Sequence, residues 1–138
     1  MIRFIVVGEP RGKGRPRFTR CGRPYTDKKT QAYEAMIQSV YRQCFGAMHD
    51  GPVSVMIHAY HSVPKSWSKA ARAMALSGEV AATRKPDADN IAKIVLDALN
   101  GLAWHDDTQV VELTVTKAYA ENAYVDVVIN KAGGGGTQ

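Results

Sequence analysis

Hydrophobic and polar positions along the chain follow two different periods, and the switches between them mark out its elements. Ile2 to Val7 is a largely β-branched run that reads as a first strand, ended by Gly8 and Pro10. Residues 8–25 hold Gly8, Gly12, Gly14, Gly22, Pro10, Pro16 and Pro24, so the pattern predicts an irregular loop there. Helical spacing follows. Tyr33, Met36, Ile37, Val40, Tyr41 and Cys44 recur on one side, predicting a helix capped by Thr26 or Asp27 and running to about Phe45. Gly46 and Asp50-Gly51-Pro52 stop it. Val53, Val55, Ile57 and Ala59 then alternate with more polar positions, predicting a second strand to about His61.

Pro64 to Ser77 predicts a helix with Ser66 as its cap, and residues 78–86 a connector in which Lys85, preceding Pro86, is extended. Asn90 to Asn100 is the most clearly amphipathic stretch: Ile91, Ile94, Val95, Ala98 and Leu99 share a face, and Gly101 ends it. Val111, Leu113 and Val115 alternate as a strand. After a turn near Glu121-Asn122, Val125, Val127 and Ile129 read as its hairpin partner. The expected fold is α+β, a mixed or antiparallel sheet with helices packed on one face. It forms one domain over residues 1–132, and residues 133–138 (GGGGTQ) form a flexible tail.

A chain of 138 residues buries roughly two thirds of its unfolded surface and needs no disulfide or metal staple to fold. Cys21 and Cys44 are too few for a disulfide framework, which favours a reducing cytoplasm. No apolar run approaches the ~20 residues that cross a bilayer, and Met1-Ile2-Arg3-Phe4 does not open a signal peptide, so no membrane partner is expected.

The net charge of +5 is modest but unevenly placed. Arg11, Lys13, Arg15, Arg17, Arg20, Arg23, Lys28 and Lys29 face a single acid, Asp27, within residues 11–29. Between Asp87 and Glu112 the balance reverses: Asp87, Asp89, Asp97, Asp106, Asp107 and Glu112 against Lys93. A basic segment points to a polyanion, most often nucleic acid. The acidic segment can meet phosphates only if a cation stands between them.

Asp87-Ala88-Asp89 lies at the mouth of the amphipathic helix. Capping accounts for one aspartate, at ~1 kcal/mol, and leaves the second without a structural task. Asp106 and Asp107 lie in the turn beyond the helix. If the strand over 109–116 runs beside the connector, residue 107 returns to the helix start and three carboxylates converge. Like charges ~4 Å apart repel by ~4 kcal/mol at an effective dielectric of 20, so such a cluster requires a shared proton or cation. Hard oxygen ligands select Mg²⁺ or Mn²⁺, which can bridge to phosphate, activate water and stabilise a leaving oxygen. Lys93, four residues after Asp89, either pairs with Asp89 or Asp97 or neutralises charge at a scissile phosphate; its spacing is compatible with both.

The run KPDADNIAKIVLDALNGLAWHDDTQVVEL, Lys85 to Leu113, resembles the Holliday-junction resolvases of the RusA type. It carries D-x-D-N-x-x-K as Asp87, Asp89, Asn90 and Lys93, then Asp97-Ala98-Leu99, then Asp106-Asp107 followed by Gln109-Val110. GEPRGKGRPRF, Gly8 to Phe18, matches the family's glycine- and arginine-rich opening. The resemblance implies a Mg²⁺-dependent endodeoxyribonuclease, with Mn²⁺ as a substitute and no small-molecule cofactor, that makes paired nicks in four-way DNA junctions as a homodimer. It assigns Asp87, Asp89 and Asp107 as metal ligands and Lys93 as the catalytic lysine, with Asp106 in support. The family is frequent in phages and prophages.

Lys13, Arg15 and Arg17, alternating with Gly14 and Pro16, suit an extended segment that lays cations along a phosphate backbone, with Arg11 beside them. The same stretch fails as a phosphate-binding P-loop, because the glycine spacing is short and Gly14 stands where Ser or Thr should follow the lysine. His58 and His61, three apart on a strand, face opposite ways and do not form a zinc pair. Trp104 and Tyr119 are expected in packing. Two other readings stay open: a non-catalytic module that binds branched DNA, and a metal-dependent nuclease acting on another nucleic-acid structure.

Overall fold

Alternation along β4 (Val53–Ser62) builds the centre of the molecule. Val53, Val55, Ile57 and Ala59 are buried on one side, while the residues between them face the other. The computed structural model describes residues 1–14, 17–44 and 46–133. The elements in chain order are β1 (Ile2–Val7), β2 (Arg17–Phe18), β3 (Pro24–Tyr25), α1 (Lys28–Gln43), β4, α2 (Lys69–Leu76), α3 (Ala88–Leu99), a 3-10 turn (Asp107–Gln109), β5 (Val110–Ala120) and β6 (Tyr124–Lys131). The main sheet has the order β1-β6-β4-β5. β6 is antiparallel to both β1 and β4, and β5 is parallel to β4, so the sheet is mixed.

Phe4 and Val6 from β1 and Val125, Val127 and Ile129 from β6 join the inward residues of β4. Against them pack Tyr33, Ile37 and Tyr41 of α1 and Ile91, Ile94, Val95, Ala98 and Leu99 of α3, with Trp104 fully enclosed. Each fully buried aliphatic side chain is worth ~1.5–3 kcal/mol in transfer from water, so the apolar stripe of α3 is a principal anchor of the fold. A second, smaller cluster joins α2 to the end of β5 through Val63, Ala75, Ala82 and Tyr119, flanked by Trp67. The α+β class is as expected. No helix among the described residues is long and apolar enough to cross a membrane.

Three local expectations are corrected. Residues 17–25 form a small hairpin, closed by Gly22 N–H to the Thr19 carbonyl; two-residue strands are too short to show an alternation. The second helix is shorter than expected, and its cap is Ser68, whose hydroxyl accepts from Ala71 N–H, rather than Ser66. A further local feature is the cis Lys85–Pro86 bond. Finally, β5 and β6 are not hairpin partners, because β4 lies between them. The turn at 121–123 steps across that strand, since β5 enters the sheet by a crossover from β4 through α2 and α3. Arg15, Phe45 and residues 134–138, hence all of the expected tail but Gly133, lie outside the described residues, as does the side chain of Arg17.

Candidate nuclease site

α3 begins where the sequence places two acids. Asp87 occupies the cap position, and its carbonyl accepts from Ile91 N–H at 3.0 Å, but its carboxylate makes no capping bond. Asp89 follows in the first turn, and both side chains are exposed. The helix dipole favours negative charge here. The capping role that would explain Asp87 structurally is therefore unfilled, and its oxygens face outward.

The basic opening of the chain lies against this helix mouth. Lys13 N–H donates to the Asn90 carbonyl at 3.2 Å. Gly12 is required by the approach: a Cβ there would sit 2.8 Å from Pro86 Cβ and 2.9 Å from Asn90 Cβ. Between the segments is an open cavity of about 500 Å³ lined by Gly12, Lys13, Lys85, Pro86, Asp87 and Asn90. A second, of about 340 Å³, continues past Arg11 and Lys29. Cationic and acidic segments far apart in sequence thus share one surface.

Lys93 Nζ reaches Asp97 Oδ1 at 3.2 Å, so of its two candidate partners the structure selects Asp97. The other oxygen of Asp97 lies 3.2 Å from Lys13 Nζ, which also donates to Glu34 at 2.8 Å. Burial works against the Lys13 ammonium, but its bonds to Glu34 and Asp97 outweigh that cost and hold its pKa above the usual lysine range. Lys13, a residue expected to reach for phosphate, ties the basic segment to α1 and α3 through these pairs. Arg11 is exposed beside Tyr33. Burial pushes the Tyr33 hydroxyl up to about 12 despite that cation.

Asp107 opens the 3-10 turn beyond the other end of α3, and its Oδ1 accepts from Trp104 Nε1 at 2.8 Å. Asp106 caps the turn, accepting from Thr108 N–H at 3.1 Å. Gln109 accepts from His105 and Asp106 N–H at 2.7 and 3.1 Å and donates to the carbonyls of His49 and Gly51. The acidic pair therefore divides: Asp106 holds the turn, and Asp107 rests on a buried indole.

The expected return of residue 107 to the helix start does not occur within one chain. β5 runs beside β4, not beside the connector, and it is the far part of β5 that meets the connector, through Lys117 Nζ on the Arg84 carbonyl. The seven residue steps of strand from Val110 to Lys117 span roughly 23 Å. Among the described residues no three carboxylate, histidine or cysteine side chains draw together into a metal site. Asp87 and Asp89 form one half of the expected set, and Asp107 stands apart.

The model of the family described as Endodeoxyribonuclease RusA matches residues 8–130, covering both the basic opening and every acidic position above. The chain belongs to the RusA endodeoxyribonuclease family. It is also similar to "Uncharacterized protein YqaN" of Bacillus subtilis (strain 168), 41% identical over 138 aligned positions that cover 94% of this chain and 96% of the relative. Membership in the RusA family makes this a nuclease fold, a hydrolase of phosphodiesters. Sequence reading missed the part played by Glu34 and by the Trp104 indole. Glu34 carries no pattern of its own, whereas Trp104 three residues before Asp107 was a readable cue.

Proposed function

We propose that this RusA-family protein is a Mg²⁺-dependent endonuclease of the cytoplasm that resolves four-way DNA junctions as a homodimer. The observation that carries the reading is Asp87, a helix-cap aspartate whose carboxylate caps nothing and borders a cavity shared with the basic opening. Hard carboxylate oxygens without nitrogen or sulfur partners fit Mg²⁺ or Mn²⁺ rather than zinc. Asp87, Asp89 and Asp107 would hold the metal, which when bound supplies water activation and Lewis-acid stabilisation of the leaving oxygen. Because the two halves of that set lie apart in one chain, we assign the completing Asp107 to the second copy in the dimer. The two-fold pair also supplies the two symmetric cuts that junction resolution needs.

The chain's own groups then have distinct tasks. Lys93 neutralises charge that develops on the phosphate, and Asp97 keeps its ammonium on the helix face. Arg11, with Arg15 and Arg17, grips the backbone of the junction arms, and Lys13 anchors the segment that carries them. The test is cleavage of a labelled four-way junction in Mg²⁺ against EDTA, with flap and duplex competitors. Asp89→Asn is expected to abolish nicking while leaving junction binding unchanged or tighter, since it removes a ligand and no basic contact. Near wild-type nicking by that variant refutes the ligand assignment, and binding without cleavage by the wild-type protein refutes the enzyme.

A further inference from the structure

The end of the sheet where β4 and β5 finish carries a third open cavity, of about 510 Å³, unrelated to any residue assigned above. Its lining includes Lys65, Arg72, Arg84, Trp67, Tyr119 and Glu121, so three cations face one acid around an aromatic pair. The rings of Trp67 and Tyr119 lie 5.5 Å apart at 60°, Tyr119 buried and Trp67 half-buried in the cavity wall. Arg72 is half-buried in the wall, and among the described residues neither it nor Lys65 has an acidic partner. A guanidinium drawn out of water without a counter-charge is costly unless an anion completes it. The volume falls within the ~300–1,000 Å³ of small-ligand sites.

Anion-seeking cations around an indole in the cavity wall match the chemistry of one nucleotide: a base to stack and a phosphate to pair. Arg84 is three residues from Asp87, at most about 10 Å of chain, which equals roughly three stacked nucleotides at ~3.4 Å each. We propose that this cavity is a nucleotide subsite that takes an unpaired base of the bound DNA strand onto Trp67, with its phosphate held by Arg72 and Lys65. The assignment rests on the nuclease reading for its source of DNA, and it gives the enzyme a contact that an uninterrupted duplex cannot make.

Trp67 emission reports on the site directly, because the second tryptophan, Trp104, is enclosed in the core. Metal-free protein is titrated in EDTA with a four-way junction carrying an unpaired thymine at its centre, with single-stranded oligothymidylate, and with the mononucleotide dTMP. Quenching by the junction and the oligonucleotide, well below the dTMP concentration that gives the same effect, is expected. Trp67→Phe should remove the quench with the fold intact, and Trp67→Ala should weaken oligonucleotide binding about ten-fold or more. Arg72→Gln should lower the slope of log affinity against log salt by about one. Junction binding with silent emission and an unchanged Arg72→Gln slope overturns the subsite while the nuclease reading stands. Equal quenching by dTMP at the same concentration overturns the strand-borne assignment. If the junction does not bind at all, the nuclease reading fails, and the oligothymidylate arm alone decides the subsite.

Discussion

Replacing Lys13 by methionine separates two roles that a basic residue in a DNA-binding segment could play. Its ammonium lies 2.8 Å from Glu34 and 3.2 Å from Asp97, and the three side chains keep only 23%, 18% and 23% of their exposure. Exposed ion pairs contribute ~0.2–1 kcal/mol, and charge-assisted hydrogen bonds ~1.5–3 kcal/mol. Two such contacts at this partial burial place the loss at about 2–3 kcal/mol, since methionine fills the stem but leaves Glu34 without its cation and Asp97 with Lys93 alone. At about 3 °C per kcal/mol for a chain of this size, Tm should fall by roughly 6–9 °C. The pKa of Lys13 is held above 10.5, so this contribution is complete at neutral pH and is lost only as the pH rises through the alkaline range. Urea unfolding measures the stability, and junction binding in EDTA at several salt concentrations measures the contact. Arg11→Gln, at an exposed site, should leave stability unchanged and lower the salt slope by about one, whereas Lys13→Met should do the reverse. A Lys13→Met protein that loses less than about 0.5 kcal/mol and one unit of slope would show that the ammonium leaves its carboxylates for phosphate, and the anchoring argument would be wrong.

Three further outcomes can be checked. Lys93→Met should change stability by less than about 0.5 kcal/mol, because its pair with Asp97 is exposed, yet slow Mg²⁺-dependent cleavage about 100-fold or more in single-turnover assays. Trp104→Phe preserves most of the packing but removes the Nε1–H bond to Asp107; by analogy with groups that orient metal ligands, it should cost about 10-fold or more in activity, recovered in part at raised Mg²⁺. Burial, with Arg84 and Lys117 nearby, holds the His61 pKa below 6.5 against the pull of Glu9. The unfolded chain therefore binds that proton more readily, so the stability is full above about pH 6.5 and drains away as the pH falls below it. His61→Leu should flatten Tm between pH 7 and pH 5, and an unchanged slope would remove His61 from the account.

Local periodicity carried the elements well because it reports which side of each segment is buried. Val53, Val55, Ile57 and Ala59, or Ile91, Ile94, Val95, Ala98 and Leu99, can be read one segment at a time. Neighbour choice cannot, since the alternation of Val125, Val127 and Ile129 is satisfied equally beside β5 and beside β4. The order strand, two helices, strand between Val53 and Ala120 was the available clue, because parallel strands require such a crossover. That single ambiguity also governed the site. A strand over 109–116 beside the connector would have gathered three carboxylates within one chain; beside β4 it sends Asp107 to the opposite end of α3. The ion pairs of Lys13 were not legible for a related reason, as its partners are 21 and 84 residues away and nothing local announces them. The surplus of acid was legible locally: one aspartate suffices to cap a helix, and two stand at its mouth with the cap bond unmade. Under the proposed assignment the same surplus explains why pairing matters. A ligand set divided between the two ends of α3 is completed where a second copy brings its other end alongside, so metal binding and symmetric cutting depend on one interface.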